Sequence, residues 1–99
     1  MKKAGRRIRT EHLDVRAADS LLSHARVTVI VAKHGHTIVE RNRLRRRLKE
    51  LARMRIIPRL NAVDVVVRSL AVAYEAPFDV LDKEVERITQ ELMLEMQEQ

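Results

Sequence analysis

The apolar positions of this chain change period as it proceeds, and each change marks an element. Residues 7–16, RIRTEHLDVR, alternate imperfectly. Leu13 and Val15 fall on one side and Thr10, His12 and Asp14 on the other, which predicts a half-exposed strand. Ala17 to His24, AADSLLSH, gathers small and polar residues and reads as a loop or a wide hairpin connection. Arg26 to Lys33, RVTVIVAK, is β-branched on both faces, as in a strand covered on one side and partly on the other, and Gly35 breaks it. From about Val39 to Met54 the period turns helical, with Leu44, Leu48 and Leu51 at i, i+4 and i+7. Pro58 ends that helix or starts a short new turn. Ala62 to Arg68, AVDVVVR, is a nearly continuous valine run and predicts a central strand. Phe78, Leu81, Val85, Ile88 and Leu92 then recur at spacings of three and four. They predict an amphipathic helix from 77 to about 95, with Pro77 at its first position and Asp79, Asp82 and Glu84 near its positive end.

A helix between two buried strands implies a βαβ unit with parallel pairing. The expected fold class is α+β: a small sandwich in which a three- to four-stranded sheet carries a basic helix and a C-terminal amphipathic helix. Ninety-nine residues, 45% of them hydrophobic, suit one modest core, so 1–99 is expected to form a single domain. Residues 1–6 are expected to lack order and 95–99 to fray.

Charge sharpens the picture through its distribution. Residues 1–60 hold 17 basic and 5 acidic side chains, a net +12, whereas 61–99 hold 3 and 9, a net −6. Asn42, Arg46, Lys49 and Arg53 fall on the helix face opposite the leucines, flanked by Arg43, Arg45 and Arg47. Like charges at i and i+4 weaken an isolated helix, so stability does not account for this face. A merely solvated face mixes signs, and arginine outnumbers lysine five to one between Arg41 and Lys49, which suits bidentate phosphate contacts. Phosphate binding is the better account. Tyr74 and Phe78, the latter placed on the apolar stripe of the last helix, are the two aromatics, too few for a multi-base stacking platform. Backbone-dominated binding to a folded nucleic acid is what this composition supports.

Other chemistries find little footing. The absence of cysteine excludes disulfides, thiolate metal sites and cysteine nucleophiles. His34 and His36 flank Gly35, and with His12 and His24 they offer a zinc-ligand reading, but such a pair on a glycine turn more often meets phosphate or solvent. Ser20, Ser23 and Ser69 lack an adjacent base in any motif, and the acidic residues of the last third read most simply as a solvated face. The apolar runs VTVIVA and AVDVVV are too short to span a bilayer, so a cytoplasmic protein without a membrane partner is expected.

The segment KHGHTIVERNRLRRRLKELAR, Lys33 to Arg53, resembles the signature of the protein component of bacterial ribonuclease P: a strand ending in a Lys-containing turn, then an Arg-Asn-Arg helix with further basic residues and a closing acid. DVVVR from Asp64 and AYEAPFDVLDKEVERI from Ala73 are similar to that family's following strand and final helix, and the resemblance covers roughly residues 7–92. It implies the RNA-binding protein subunit of a ribonucleoprotein endoribonuclease, with catalysis by the RNA. That catalytic RNA and the 5′ leader of precursor tRNA are the implied partners. Magnesium is implied to be bound mainly by the RNA, and no cofactor by the protein alone. Lys33, His34, Arg41, Asn42, Arg43, Arg45, Arg46, Lys49 and Arg53 are the expected RNA contacts; Arg9, Thr10 and His12 are the expected leader contacts. A left-handed βαβ crossover is implied as well. The chain begins close to its first strand, so it is expected to be a short form lacking most of the family's N-terminal helix.

A different class remains: a basic RNA- or DNA-binding module, ribosome-associated or nucleoid, with no enzyme partner. The Val-rich strand before the basic helix separates the two, because a helix-turn-helix reader needs a helix there.

Overall fold

A computed structural model describes residues 5–33 and 35–97. Strands β1 (Arg6–Arg9) and β2 (Leu13–Asp19) form a hairpin, followed by β3 (Arg26–Ile30), helix α1 (Ile38–Leu51), strand β4 (Val63–Ser69) and helix α2 (Phe78–Gln97). The sheet order is β1-β2-β4-β3. β4 pairs antiparallel with β2 and parallel with β3, so β3-α1-β4 is the expected βαβ unit and β4 the expected central strand. The α+β class holds, with four strands.

Three boundaries differ from the sequence reading. The run from Arg7 to Arg16 is two strands, because Thr10 N bonds Leu13 O at 2.9 Å and turns the chain within three residues. Ala17 to Asp19, read as loop, extends β2: Ala17 is buried against the core, and Ser20 N still bonds Ala62 O. β1 begins at Arg6, inside the stretch expected to lack order; residues 1–4 lie outside the described residues, as do 98 and 99.

Helix α1 starts where a capping box fixes it. Glu40 N donates to Thr37 Oγ1 at 3.1 Å and Thr37 N donates to Glu40 Oε1 at 3.0 Å, closing two of the free N–H groups of the first turn. The helix then widens into one π turn over Ala52–Ile56, with Ile57 N bonded to Ala52 O, just before Pro58 removes the next backbone donor. That turn keeps Ala52 and Ile56 buried beside Leu51.

The strands alternate cleanly. Leu13, Val15 and Ala17 of β2 and Val63, Val65 and Val67 of β4 point inward, meeting Leu44, Leu48 and Leu51 of α1 and Leu81, Val85, Ile88 and Leu92 of α2. Both helices therefore lie on one face of the sheet. Phe78 is not part of the α2 stripe: it is 40% exposed at the first helical position, and Pro77 lies one residue before the helix, where its carbonyl accepts from Leu81. On the other face of the sheet Arg9, Arg16, Arg26, Thr28, Ile30 and Arg68 are exposed, and no described element covers them.

Candidate nucleic-acid interface

The cations of this chain divide sharply by whether they have an acid to hold. Arg55 donates to both carboxylate oxygens of Asp82 (2.9 and 3.2 Å), Arg59 to Glu86 (2.8 Å), and Arg6 pairs with Glu95 (3.1 Å). Arg26 clasps Asp64 at 2.8 and 3.0 Å. These acids come from the acidic third of the chain, so that third is not simply a solvated face: it neutralises the arginines that stitch sheet and helices together.

The exposed side of α1 is the opposite case. Arg43, Arg46, Arg47 and Lys49 are exposed and make no side-chain hydrogen bond or ion pair among the described residues. The leucine stripe pins one side of the helix into the core, which forces these four outward. A shallow groove of about 380 Å³ runs along Asn42, Arg45, Arg46, Lys49, Glu50 and Arg53. Arg45 Nη1 donates to Asn42 Oδ1 at 2.8 Å, which aligns its guanidinium along the groove. The rest of the expected set is less free. Arg53 is bound to Glu50, Nε to Oε1 at 3.2 Å, and its hydrogen bonds hold the Glu50 carboxyl below the usual range. Arg41 turns back toward the His36 carbonyl. Lys33 is exposed beyond β3; His34 lies outside the described residues. Arg47, left out of the expected RNA contacts, belongs with the free cations.

The three expected leader contacts do not share a surface. Thr10 Oγ1 donates to Glu84 Oε1 at 2.5 Å, His12 N donates to the same oxygen at 3.2 Å, and the His12 ring meets Glu84 Oε2. Both the His12 and Glu84 side chains are 12% exposed, so Thr10 and His12 clasp the hairpin to α2 instead of facing a ligand. Arg9 does face outward. It stands in one cross-strand row with Asp14 and Arg68, beside a second row of Arg7, Arg16 and Val66. Asp14, 8% exposed, takes both hydrogen bonds of Arg7, leaving Arg9, Arg16 and Arg68 without a side-chain partner among the described residues. The hydrogen bond from Arg7 holds the Asp14 carboxyl below its ordinary value, against burial and with help from the charges of Arg7, Arg16 and Arg9. Sequence reasoning missed Arg16 and Arg68 because a single exposed arginine on a strand carries no local signal; only the register of β2 on β4 joins them.

Among the described residues, His12 and His36 are engaged by protein partners. His36 is hydrogen-bonded to Glu40 and stacked on Tyr74, their ring centroids 3.6 Å apart at 13°. Glu11, His12 and Glu84 bring ligating atoms within 4.8 Å, yet both Glu84 oxygens and the His12 ring are already spent on one another and on Thr10. An oxygen-seeking ion such as magnesium, which keeps most of its waters, does not suit that set. Ser69, buried, accepts from Ala32 N at 3.0 Å and is structural. No helix among the described residues is long and apolar enough to cross a membrane.

A family model described as Ribonuclease P matches residues 1–93. Two relatives are the ribonuclease P protein components of Syntrophobacter fumaroxidans and Kocuria rhizophila. The first is 41% identical over 54 residues (54% of this chain, 45% of that protein), the second 38% over 60 (61% and 53%). The chain thus spans about half the length of these relatives. Among solved structures, the RNase P protein of Thermotoga maritima superposes with a TM-score of 0.77 at 18% identity, covering 88% of this chain and 83% of that one. A mutant of the Staphylococcus aureus protein gives 0.78 at 18%, covering 87% and 73%. At such identity these structures speak for the fold.

Proposed function

The chain belongs to the ribonuclease P family, and from that premise we propose that it is the RNA-binding protein subunit of a ribonucleoprotein endoribonuclease, assisting a catalytic RNA in removing the 5′ leader from precursor tRNA. One observation carries the reading: Arg43, Arg46, Arg47 and Lys49 project from one helix with no acidic partner among the described residues. Cations left unpaired on a helix pinned by buried leucines fit a partner that supplies the anions, and RNA phosphates do so at close spacing.

The division of labour follows from charge. Neutralising phosphates where RNA segments converge releases counterions and lowers the repulsion that divalent ions otherwise screen, so the protein's help is greatest at low magnesium. The magnesium that hydrolysis needs is assigned mainly to the RNA by the family resemblance. For the leader, the open sheet face with Arg9, Arg16 and Arg68 is better suited than Thr10 and His12, which Glu84 occupies. A strand of RNA laid across this face meets three free guanidinium groups, and its binding is led by the backbone. The complex would act in the cytoplasm alongside its RNA.

The rival reading, a general basic nucleic-acid module, shares the same helix. Its helix-turn-helix version is disfavoured because β3, not a helix, precedes α1. The deciding experiment is precursor-tRNA cleavage by the ribonuclease P RNA of the same organism at low magnesium, with and without this protein. Stimulation supports the subunit role; tight, salt-sensitive RNA binding with no stimulation would leave only the binding module.

A further inference from the structure

Where α1 faces the short turn before α2, two of its free cations, Arg43 and Arg47, stand beside aromatic surface. A cleft of about 320 Å³ opens between α1 and the short 3-10 turn Ala71–Glu75, walled by His36, Leu44 and Tyr74, with Arg43, Arg47 and Glu75 around it. That volume is at the lower end of the ~300–1,000 Å³ range of small-ligand sites. We infer that this cleft is a base-reading subsite that takes one unpaired guanine nucleotide of the partner RNA. The inference rests on the RNA-binding reading above and adds to it a place where base identity, not only phosphate charge, is read.

Three features carry it. First, the wall is a fixed aromatic stack. The His36 and Tyr74 rings lie 3.6 Å apart, Tyr74 is tied through its hydroxyl to the Ala32 carbonyl, and His36 Nδ1 is 3.2 Å from Glu40 Oε1. Burial pushes the Tyr74 phenol above its ordinary value, against the nearby charges of Arg41 and Arg45, so it stays a neutral donor. A flat surface held at both ends gives an unstacked base something to lie against without ordering costs of its own.

Second, the cations are free. Arg43 and Arg47 have no side-chain partner among the described residues and line the cleft, so they can meet the phosphate of a nucleotide whose base lies in it. Third, the cleft is not a plain anion site. Glu40 is committed to Thr37 N and the His36 ring, but Glu75 is exposed and makes no hydrogen bond or ion pair among the described residues. A free carboxylate repels bare phosphate and accepts only hydrogen bonds. Guanine alone presents two adjacent N–H donors, N1–H and N2–H, on its Watson–Crick edge, matching the two oxygens of one carboxylate. Adenine and cytosine set a ring acceptor beside their amino group, and uracil offers one N–H between two carbonyls.

The chain has one tyrosine and no tryptophan, so its intrinsic fluorescence reports on this cleft alone. GMP, UMP and inorganic phosphate would be titrated into the wild-type protein and Glu75→Gln, with absorption corrected against free tyrosine amide at equal ionic strength. GMP and UMP carry the same charge, so any difference lies in the base. The expected result is a saturable change with GMP at least fivefold tighter than with UMP, a gap of less than twofold in Glu75→Gln, and no response to phosphate. Equal affinity for GMP and UMP, a response to phosphate alone, or a GMP preference that survives Glu75→Gln overturns the subsite. Matching thermal melts of the two proteins keep the comparison clean, because the Glu75 side chain makes no bond among the described residues. If the mononucleotides titrate alike while Arg46→Ala still lowers the salt dependence of RNA binding, only the subsite falls and the RNA-binding reading stands.

Discussion

Arg7 and Asp14 face each other across the β1–β2 hairpin as a two-pronged pair, Nε to Oδ1 at 3.0 Å and Nη2 to Oδ2 at 2.9 Å, on the sheet face that no helix covers. Asp14 is the one acid set among Arg7, Arg9, Arg16 and Arg68, and by engaging Arg7 it subtracts from the positive charge of that face.

Asp14→Asn should therefore separate stability from binding. The carboxyl is held below its unfolded value, so its contribution is present above that value and is lost as pH falls through the folded one. The variant is expected to unfold more readily at neutral pH and to show a shallower loss of stability on acidification. With Arg7 released, affinity for single-stranded RNA should rise, and the salt slope should steepen by roughly 0.7 per added phosphate contact. Urea melts at several pH values and a salt titration of leader RNA check both halves; a slope that does not change removes Arg7 and Asp14 from the binding face.

The helix makes a graded prediction. Arg46→Ala and Lys49→Ala should each lower the salt slope of catalytic-RNA binding by roughly 0.7–0.9, with thermal stability kept. Arg53→Ala should do less, because Arg53 is already engaged by Glu50. Equal effects at all three positions would mean that the Glu50 pair opens on binding. Electrophoretic mobility titrations across a range of salt distinguish these outcomes.

Much of this was written into local pattern. The leucines of α1 fixed which side of the helix is buried, and with it the side on which Arg46 and Lys49 stand. Thr37-x-x-Glu40 is a capping box legible in the sequence, and it places the helix start one residue earlier than the apolar period does. What lay beyond reach were relations between distant segments. The Glu84 clasp joins residues 72 and 74 positions apart, and Phe78 fits the α2 period yet stands outside it because the chain enters the helix from the 3-10 turn. The sheet arginines meet only through strand register.

Two substitutions test the scaffold apart from the basic surface. Leu48 is 1% exposed beneath the basic face, and Leu48→Ala should cost about 2–5 kcal/mol. Ala62 holds φ at 56°, the left-handed region, while its carbonyl accepts from Ser20 N. Ala62→Gly relieves that backbone strain at the expense of a freer unfolded chain, and should stabilise by about 0.5–1 kcal/mol. Urea midpoints at constant m-value read both. A destabilised Ala62→Gly would show that the turn is not strained.

Glu84 is the last test and the one with a pH signature. Burial works to raise its carboxyl, but hydrogen bonds from Thr10, the His12 ring and His12 N outweigh it, so the group sits below its ordinary value. A carboxyl lowered in the folded state stabilises above its unfolded value, and that stabilisation disappears as pH falls through the folded value. Glu84→Gln should cost about 1–3 kcal/mol at neutral pH and flatten the acid limb of the stability curve below about pH 5. Amide exchange should quicken first at His12 and Leu13, whose N–H groups bond Glu84 Oε1 and Thr10 Oγ1. Because Thr10 and His12 face α2 and not the open sheet, leader affinity should stay within twofold of wild type in conditions where the variant is folded. A tenfold loss there would return Thr10 and His12 to the leader site.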